Sequence, residues 1–474
     1  MTSIKREFFN GVLFTAIGKY SYVFINFLIT AILARILSPA DFGIVAIATV
    51  IINFFSMLSD MGIGPAVVQN KELKKKDLEN IFSLTFYMGA VLSLIFYFLA
   101  PFFSKYYENE QLLSVVQLFS IAIFFHCVDI VPHSLLVKGK RFSFLAYSNV
   151  IIQVVCGAIS IWAAYLGFGV YSLLIQPILS SILIFVVDIS QHWIFPTLKV
   201  QKESIQKIFS YSLFQFLFSF INYFSRNLDK LVVGRVFGVS DLGYYEKSYR
   251  LMMLPVGNLS HIITPAIQPI FSEFQNDNNL LYNRSIRIMK LFVFLGFPIS
   301  VFLYFCSSEI ILLSFGEQWH GAIPVFQILS LSVGFQMIFS PQGAFFQSAN
   351  AVKEMFYCGL ATAIFNTLAV IVGCIICKNI EVLSWLIVIS YILAFIITYF
   401  VLINKVFASS FKTFLKIFIQ PLQLSILLAI ILFLFNVFAP QMDIIFSFVI
   451  KCIISVFVVG VFNLFTKSIT KLLK

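Results

Sequence analysis

Apolar runs of roughly twenty residues recur along the whole chain, separated by short connections that carry most of its charge. A helix rises ~1.5 Å per residue, so each run is long enough to cross ~30 Å of hydrocarbon. The pattern predicts fourteen membrane spans, at about 12–33, 43–67, 81–103, 114–135, 144–165, 170–189, 208–233, 242–270, 288–315, 322–346, 355–377, 382–404, 417–438 and 444–465. The fourth, seventh and eighth are the least uniform, because each holds ionisable residues. An all-α integral membrane protein is the expected fold class.

Composition agrees with this reading. The 474 residues are 60% hydrophobic and 11% charged, with 58 Phe. Most of the 32 basic residues fall in the connections that alternate spans place on one side: Lys5-Arg6, Lys74–Lys76, Lys138-Lys140-Arg141, Arg284-Arg287-Lys290 and Lys405-Lys412-Lys416 among them. The opposite connections hold only Arg35, Lys105 and Lys378. By the positive-inside bias both termini are expected in the cytosol. The net charge of +11 is then a topology signal and needs no nucleic-acid partner.

Absences narrow the function further. Lys5 and Arg6 precede an apolar run too long for a signal peptide, which reads as a retained first helix. Cys374 and Cys377 have CxxC spacing, but no second pair or nearby His completes a metal site. No phosphate-binding glycine loop, HExxH or nucleophile elbow occurs. Neither a catalytic centre nor a cofactor or metal is expected.

A shift of 200 residues lays the second half on the first. Leu33-Ala34-Arg35-Ile36-Leu37-Ser38-Pro39-Ala40-Asp41-Phe42-Gly43 falls on Val233-Gly234-Arg235-Val236-Phe237-Gly238-Val239-Ser240-Asp241-Leu242-Gly243. Leu13-Phe14 meets Leu213-Phe214, and Pro65-Ala66 meets Pro265-Ala266. Six spans separate the copies, so both enter the membrane the same way. Parallel repeats of this kind form two lobes about an axis along the membrane normal, with the substrate path between them. The expected organisation is an N-lobe at 1–200, a C-lobe at 201–404, and two appended helices with a tail at 405–474. Within the repeat, Arg35 and Arg235 are expected to form interhelix turns with Asp41 and Asp241.

The chain resembles the Wzx-type polysaccharide flippases of the multidrug/oligosaccharidyl-lipid/polysaccharide exporter superfamily. The resemblance is carried by the run at 33–43, by Asp60-Met61-Gly62-Ile63-Gly64-Pro65-Ala66 and by Lys138-Gly139-Lys140-Arg141-Phe142. Gly167-Phe168-Gly169-Val170-Tyr171 and Phe315-Gly316-Glu317-Gln318-Trp319 reinforce it. It implies a bacterial inner- or plasma-membrane carrier that moves undecaprenyl-pyrophosphate-linked oligosaccharide to the outer leaflet by alternating access. Other membrane proteins of polysaccharide assembly are candidate partners. A cation-coupled multidrug exporter of the same superfamily is the alternative. A membrane polymerase or ligase is a third reading, disfavoured because no sizeable outer loop is predicted.

Ionisable residues inside spans are the candidate site. A charge facing lipid costs roughly 2.5–3.5 kcal/mol, so Arg226, Asp229, Lys230, Glu246, Lys247 and Arg250 in the seventh and eighth spans are expected to face protein or water. Counted from the outer ends, Arg226 lies about 10 Å deep and Arg250 about 13 Å. Arginine binds phosphate oxygens with a planar fork, so Arg226 and Arg250 are assigned to pyrophosphate, with Lys230 and Lys247 as further cations. Asp229 and Glu246 would position them; a self-contained ion-pair network is the bland alternative. Lys19 on the first span is a further phosphate candidate, paired with Asp60. His126, Asp129 and His133 fall at i, i+3 and i+7, one helical stripe, which is either a proton relay or a packed polar seam. Tyr223 and Tyr249 offer stacking faces and hydroxyls to sugar rings.

Overall fold

The computed structural model describes residues 3–60, 62–70, 72–197, 223, 227–272, 277–439 and 442–466. By internal packing the chain divides into two units, Met1–Gly243 and Tyr244–Lys474. Among the described residues every regular element is helical.

The first unit holds α1 (Ser3–Ile36), α2 (Pro39–Asp60), α3 (Ile63–Gln69), α4 (Lys75–Tyr106), α5 (Gln111–Lys138), α6 (Phe142–Tyr165), α7 (Val170–Gln191) and α8 (227–236). Its helices pair as α4 on α5, α1 on α6, and α7 on both α5 and α6. Small residues set how closely they approach. A Cβ on Gly89 of α4 would lie 2.7 Å from the Cβ of Cys127 on α5, and one on Gly18 of α1 2.7 Å from that of Ala146 on α6. Lipid gives apolar side chains no reason to associate, so helix pairs of this kind are held by close van der Waals contact at such positions. Ile63, Val67, Ile81, Phe82, Val128 and Val131 form a buried core where α3, α4 and α5 meet.

The repeated motif has a local reason to fold as it does. Ser38 and Asp41 cap α2 reciprocally: the Asp41 carboxylate accepts the Ser38 N–H at 2.9 Å, and the Asp41 N–H reaches Ser38 Oγ at 3.3 Å. Pro39 opens the helix, where its missing N–H costs nothing. The second copy lacks the serine. Gly238 takes its place with φ +89°, a conformation that side chains avoid.

The second unit contains most of α9 (Val239–Ser272), then α10 (Asn278–Phe305), α11 (Ser307–Phe315), α12 (Ala322–Ser330), α13 (Val333–Phe339), α14 (Gln342–Ser348) and α15 (Val352–Val370). α16 (Ile380–Phe400), α17 (Phe411–Leu415), α18 (Ile419–Phe438) and α19 (Ile444–Thr466) complete it. Polar side chains cap several starts: Asp277 accepts the Leu280 N–H, and Asn379 accepts those of Glu381 and Val382. The tenth predicted span is broken. α12 and the segment Val333–Ser348 meet at 49°. Ser300 Oγ accepts the Gly334 N–H at 2.8 Å just past the break, so a backbone group freed by the bend is satisfied from α10.

Among the described residues, eleven helices are long and apolar enough to span a membrane, and the bent pair would make a twelfth. The seventh expected span, 208–233, lies mostly outside the described residues. The eighth corresponds to α9, 34 residues and roughly 50 Å long. α19 leaves Val456 and Phe457 exposed, as a lipid-facing helix does.

Candidate functional site

Two sets of chemistry-bearing side chains emerge, one in each unit. The first surrounds a cavity of about 650 Å³ whose lining includes Asp60, Gln69, His126, Asp129, His133 and Ser134. Its wall is the short helix α3, and two of the sequence motifs exist to hold that helix. Asp60 Oδ1 accepts the Gly64 N–H at 3.2 Å. Gly62, at φ +74°, turns the chain out of α2. Gly64 lets α3 lie against α5, because a Cβ there would sit 3.2 Å from Ser134 Oγ. At the other end, Lys138 Nζ donates to the carbonyls of Val67 at 3.1 Å and Asn70 at 2.6 Å. An acid at the start of α3 and a cation at its end both complement the helix dipole.

The expected Lys19–Asp60 ion pair is not among the described contacts. Lys19 is exposed, and Asp60 is engaged by α3. Asp60 stands at the end of α2, beside the unpaired N–H groups that open α3.

The stripe on α5 does face one place: His126, Asp129 and His133 all line the cavity. The structure adds a residue that the sequence reading missed. Asp188 on α7 is 1% exposed, and its Oδ2 lies 3.0 Å from His133 Nδ1. Asp129, His133 and Asp188 bring their ligating atoms within 4.8 Å of one another. Asp129 Oδ1 is buried and accepts no hydrogen bond. A lone Asp at the end of an apolar span gave no periodic signal; only the packing of α7 on α5 reveals it.

The second set lies on α9. Arg250 is exposed, Glu246 half-buried and Lys247 only 4% exposed. Lys247 therefore sits in packed interior. The Tyr249 hydroxyl lies 2.9 Å from that of Tyr391 on α16, so it is held by another helix. Asp229 and Lys230 on α8 are half-buried in the first unit. Tyr223 donates its hydroxyl to the Val50 carbonyl of α2, which ties it to the backbone. Arg226 lies outside the described residues.

The repeat arginine behaves differently from the expected turn. Arg235 Nη1 pairs with Glu108 Oε1 at 2.9 Å, and its guanidinium stands 5.5 Å from the centre of the Tyr106 ring. Tyr107 donates to the Leu231 carbonyl at 3.2 Å. The turn between α4 and α5 thus grips α8, and a loop acid outcompetes Asp241, which sits a few residues away on the following helix. Asp41 is taken by the Ser38 cap.

The family of polysaccharide biosynthesis proteins matches over residues 32–324, more than half of the chain. The chain belongs to that family. It is 24% identical over 481 residues to an uncharacterized membrane protein in the cps region of Klebsiella pneumoniae, covering 95% of this chain and 93% of that one. It is 25% identical over 438 residues to the lipopolysaccharide biosynthesis protein WzxC of Escherichia coli K12, covering 90% and 86%. Among solved structures, the lipid II flippase MurJ in an inward closed conformation matches with a TM-score of 0.75 at 18% identity, covering 97% of this chain and all of that one. An inward-facing multidrug MATE transporter matches with a TM-score of 0.62 at 12% identity, covering 80% and 93%. The chain shares its fold with these two transporters.

Proposed function

We propose that this protein flips undecaprenyl-pyrophosphate-linked oligosaccharide from the cytosolic to the outer leaflet of a bacterial inner or plasma membrane, supplying cell-surface polysaccharide synthesis. The observation that carries the reading is family membership across residues 32–324, with relatives named for lipopolysaccharide, teichuronic acid and succinoglycan synthesis. Alternating access of two six-helix lobes is the mechanism, with both termini cytosolic. The role divides by chemistry. Arg250 and Arg226 bind pyrophosphate oxygens, since a guanidinium keeps its charge where water is scarce and offers two parallel donors. Lys230 and Lys19 add positive charge along the path. Glu246 and Asp229 hold these cations in position. Tyr249 and Tyr223, each tied at its hydroxyl, present rigid ring faces to sugars. The polyprenyl tail stays in lipid, because burying it in a polar cavity gains nothing over hydrocarbon.

Depleting the protein and profiling lipid-linked intermediates by mass spectrometry tests the reading. Undecaprenyl-pyrophosphate repeat units should accumulate, inaccessible from outside the cell. An unchanged profile in depleted cells would overturn it. The acidic cavity of the first unit favours a second reading, export of organic cations. Dye-efflux assays separate the two, since a drug exporter lowers cellular ethidium and a sugar-lipid flippase does not.

A further inference from the structure

We propose that Asp129, His133 and Asp188 form a binding site for a divalent first-row transition-metal cation, in the wall of the first unit's cavity. The donor set is one imidazole nitrogen and two carboxylate oxygens, the mixture that zinc, manganese and ferrous ions accept and that alkali ions, which take oxygen alone, do not favour. The spacing is close to that of a coordination shell. Ligands ~2.1 Å from a metal at angles of 90–110° lie about 3.0–3.4 Å apart; His133 Nδ1 stands 3.0 Å from Asp188 Oδ2, a hydrogen bond that a metal bound to both would replace. The third ligand atom, from Asp129, is within 4.8 Å of both, so a small rotation of its carboxylate completes the face.

The frame is rigid. Asp129 and His133 are one turn apart on α5, on the same face, and Asp188 comes from α7, which packs along α5. Charge argues in the same direction. Two carboxylates, that of Asp188 buried, lie within reach of one cation beside a half-exposed imidazole. Among the described residues, Lys138 is engaged on the carbonyls of Val67 and Asn70, and Arg141 on Gln191 Oε1 at 2.8 Å. The independent observation is Asp129 Oδ1, buried without a hydrogen bond. An orphaned carboxylate oxygen is costly, and coordination removes that cost. Asp129 and His133 also face the cavity, which provides a route in and room for water ligands. A bound cation would fasten α5 to α7 beside the cavity. The site is independent of what the protein transports, and its failure would leave the flippase reading standing.

The test uses the full-length protein in detergent, with any affinity tag removed and metals stripped by chelator. Titration with Co²⁺ or Zn²⁺ should show one saturable ion per chain by elemental analysis after gel filtration, with a rise in melting temperature reversed by chelator. Asp129→Asn, His133→Gln and Asp188→Asn should each weaken binding at least tenfold, whereas His126→Gln, in the same cavity outside the triad, should not. Should Asp188→Asn fail to accumulate as folded protein, Mn²⁺ bound to wild type provides a second readout. Pulsed electron resonance should show one imidazole nitrogen, lost in His133→Gln and kept in His126→Gln. Wild-type protein that retains no more metal than the Asp129→Asn variant would overturn the proposal. So would a triad that takes up protons on acidification while binding no metal.

Discussion

Gly43 and Gly243 hold reciprocal places: a Cβ on Gly43 would sit 1.7 Å from the Val239 carbonyl oxygen, and one on Gly243 2.1 Å from that of Pro39. Residues 39 and 239 correspond under the 200-residue shift, as do 43 and 243. Each glycine thus meets the backbone at the start of the helix that holds the other. The contact joins the starts of α2 and α9, within the unit Met1–Gly243. The obstacle at each glycine is backbone, which has no rotamer with which to move aside. Gly43→Ala and Gly243→Ala should each destabilise the protein by about 1–3 kcal/mol. A fluorescence melting curve in detergent would read this, and unchanged melting in both variants would show that the close approach is not kept.

Lys451 on α19 is buried against Glu309 on α11, with Ser447 donating to the same carboxylate at 2.8 Å and the Phe305 carbonyl accepting from Lys451 at 3.0 Å. Removing one partner of a buried pair strands the other. Lys451→Met should therefore cost roughly 3–5 kcal/mol, and a double change with Glu309→Leu should recover most of it. Membrane abundance and melting of the three variants decide the matter; additive losses would mean that the pair is not coupled.

Lys138 appears in the sequence as one more positive-inside charge, yet its ammonium closes the end of α3. Lys138→Met should loosen that helix by about 1–2 kcal/mol. Hydrogen exchange over Ile63–Asn70 should accelerate while exchange in α6 stays as in wild type. Equal protection in both proteins would leave Lys138 with a topological role alone.

The spans were legible because apolar length is a one-dimensional property, and so was the family, because the motifs at 33–43, 60–66 and 138–142 build local caps and turns. Pairings across space were not. Arg235 finds Glu108 in a loop more than a hundred residues earlier, and Asp188 completes a triad whose other members lie on α5. The bend between Ser330 and Val333 was equally hidden, since the residues that relieve it, Ser300 and Gly296, belong to another helix. Of the expected charged cluster, Lys247 turns out buried and Arg250 exposed, a difference set by which face of α9 meets its neighbours rather than by spacing.

The proposed orientation, with both termini cytosolic, rests on the Lys and Arg distribution. In a background without the seven native cysteines, single cysteines at Asn109 and Gln318 should react with an impermeant maleimide on intact cells. Those at Lys75 and Lys412 should react only after permeabilisation. Labelling of position 75 from outside would invert the proposed topology.

The proposed activity is transfer of a pyrophosphate-linked sugar lipid between leaflets. Its most direct test is a reconstituted assay with undecaprenyl-pyrophosphate-linked repeat unit loaded in sealed vesicles, read by exposure to an impermeant glycosidase. Wild-type protein should accelerate loss of protection well above protein-free vesicles, the Arg226→Ala/Arg250→Ala double variant should not, and lysine at either position should restore only part of the rate. Equal rates with and without wild-type protein, or full activity in the well-folded double variant, would contradict the account.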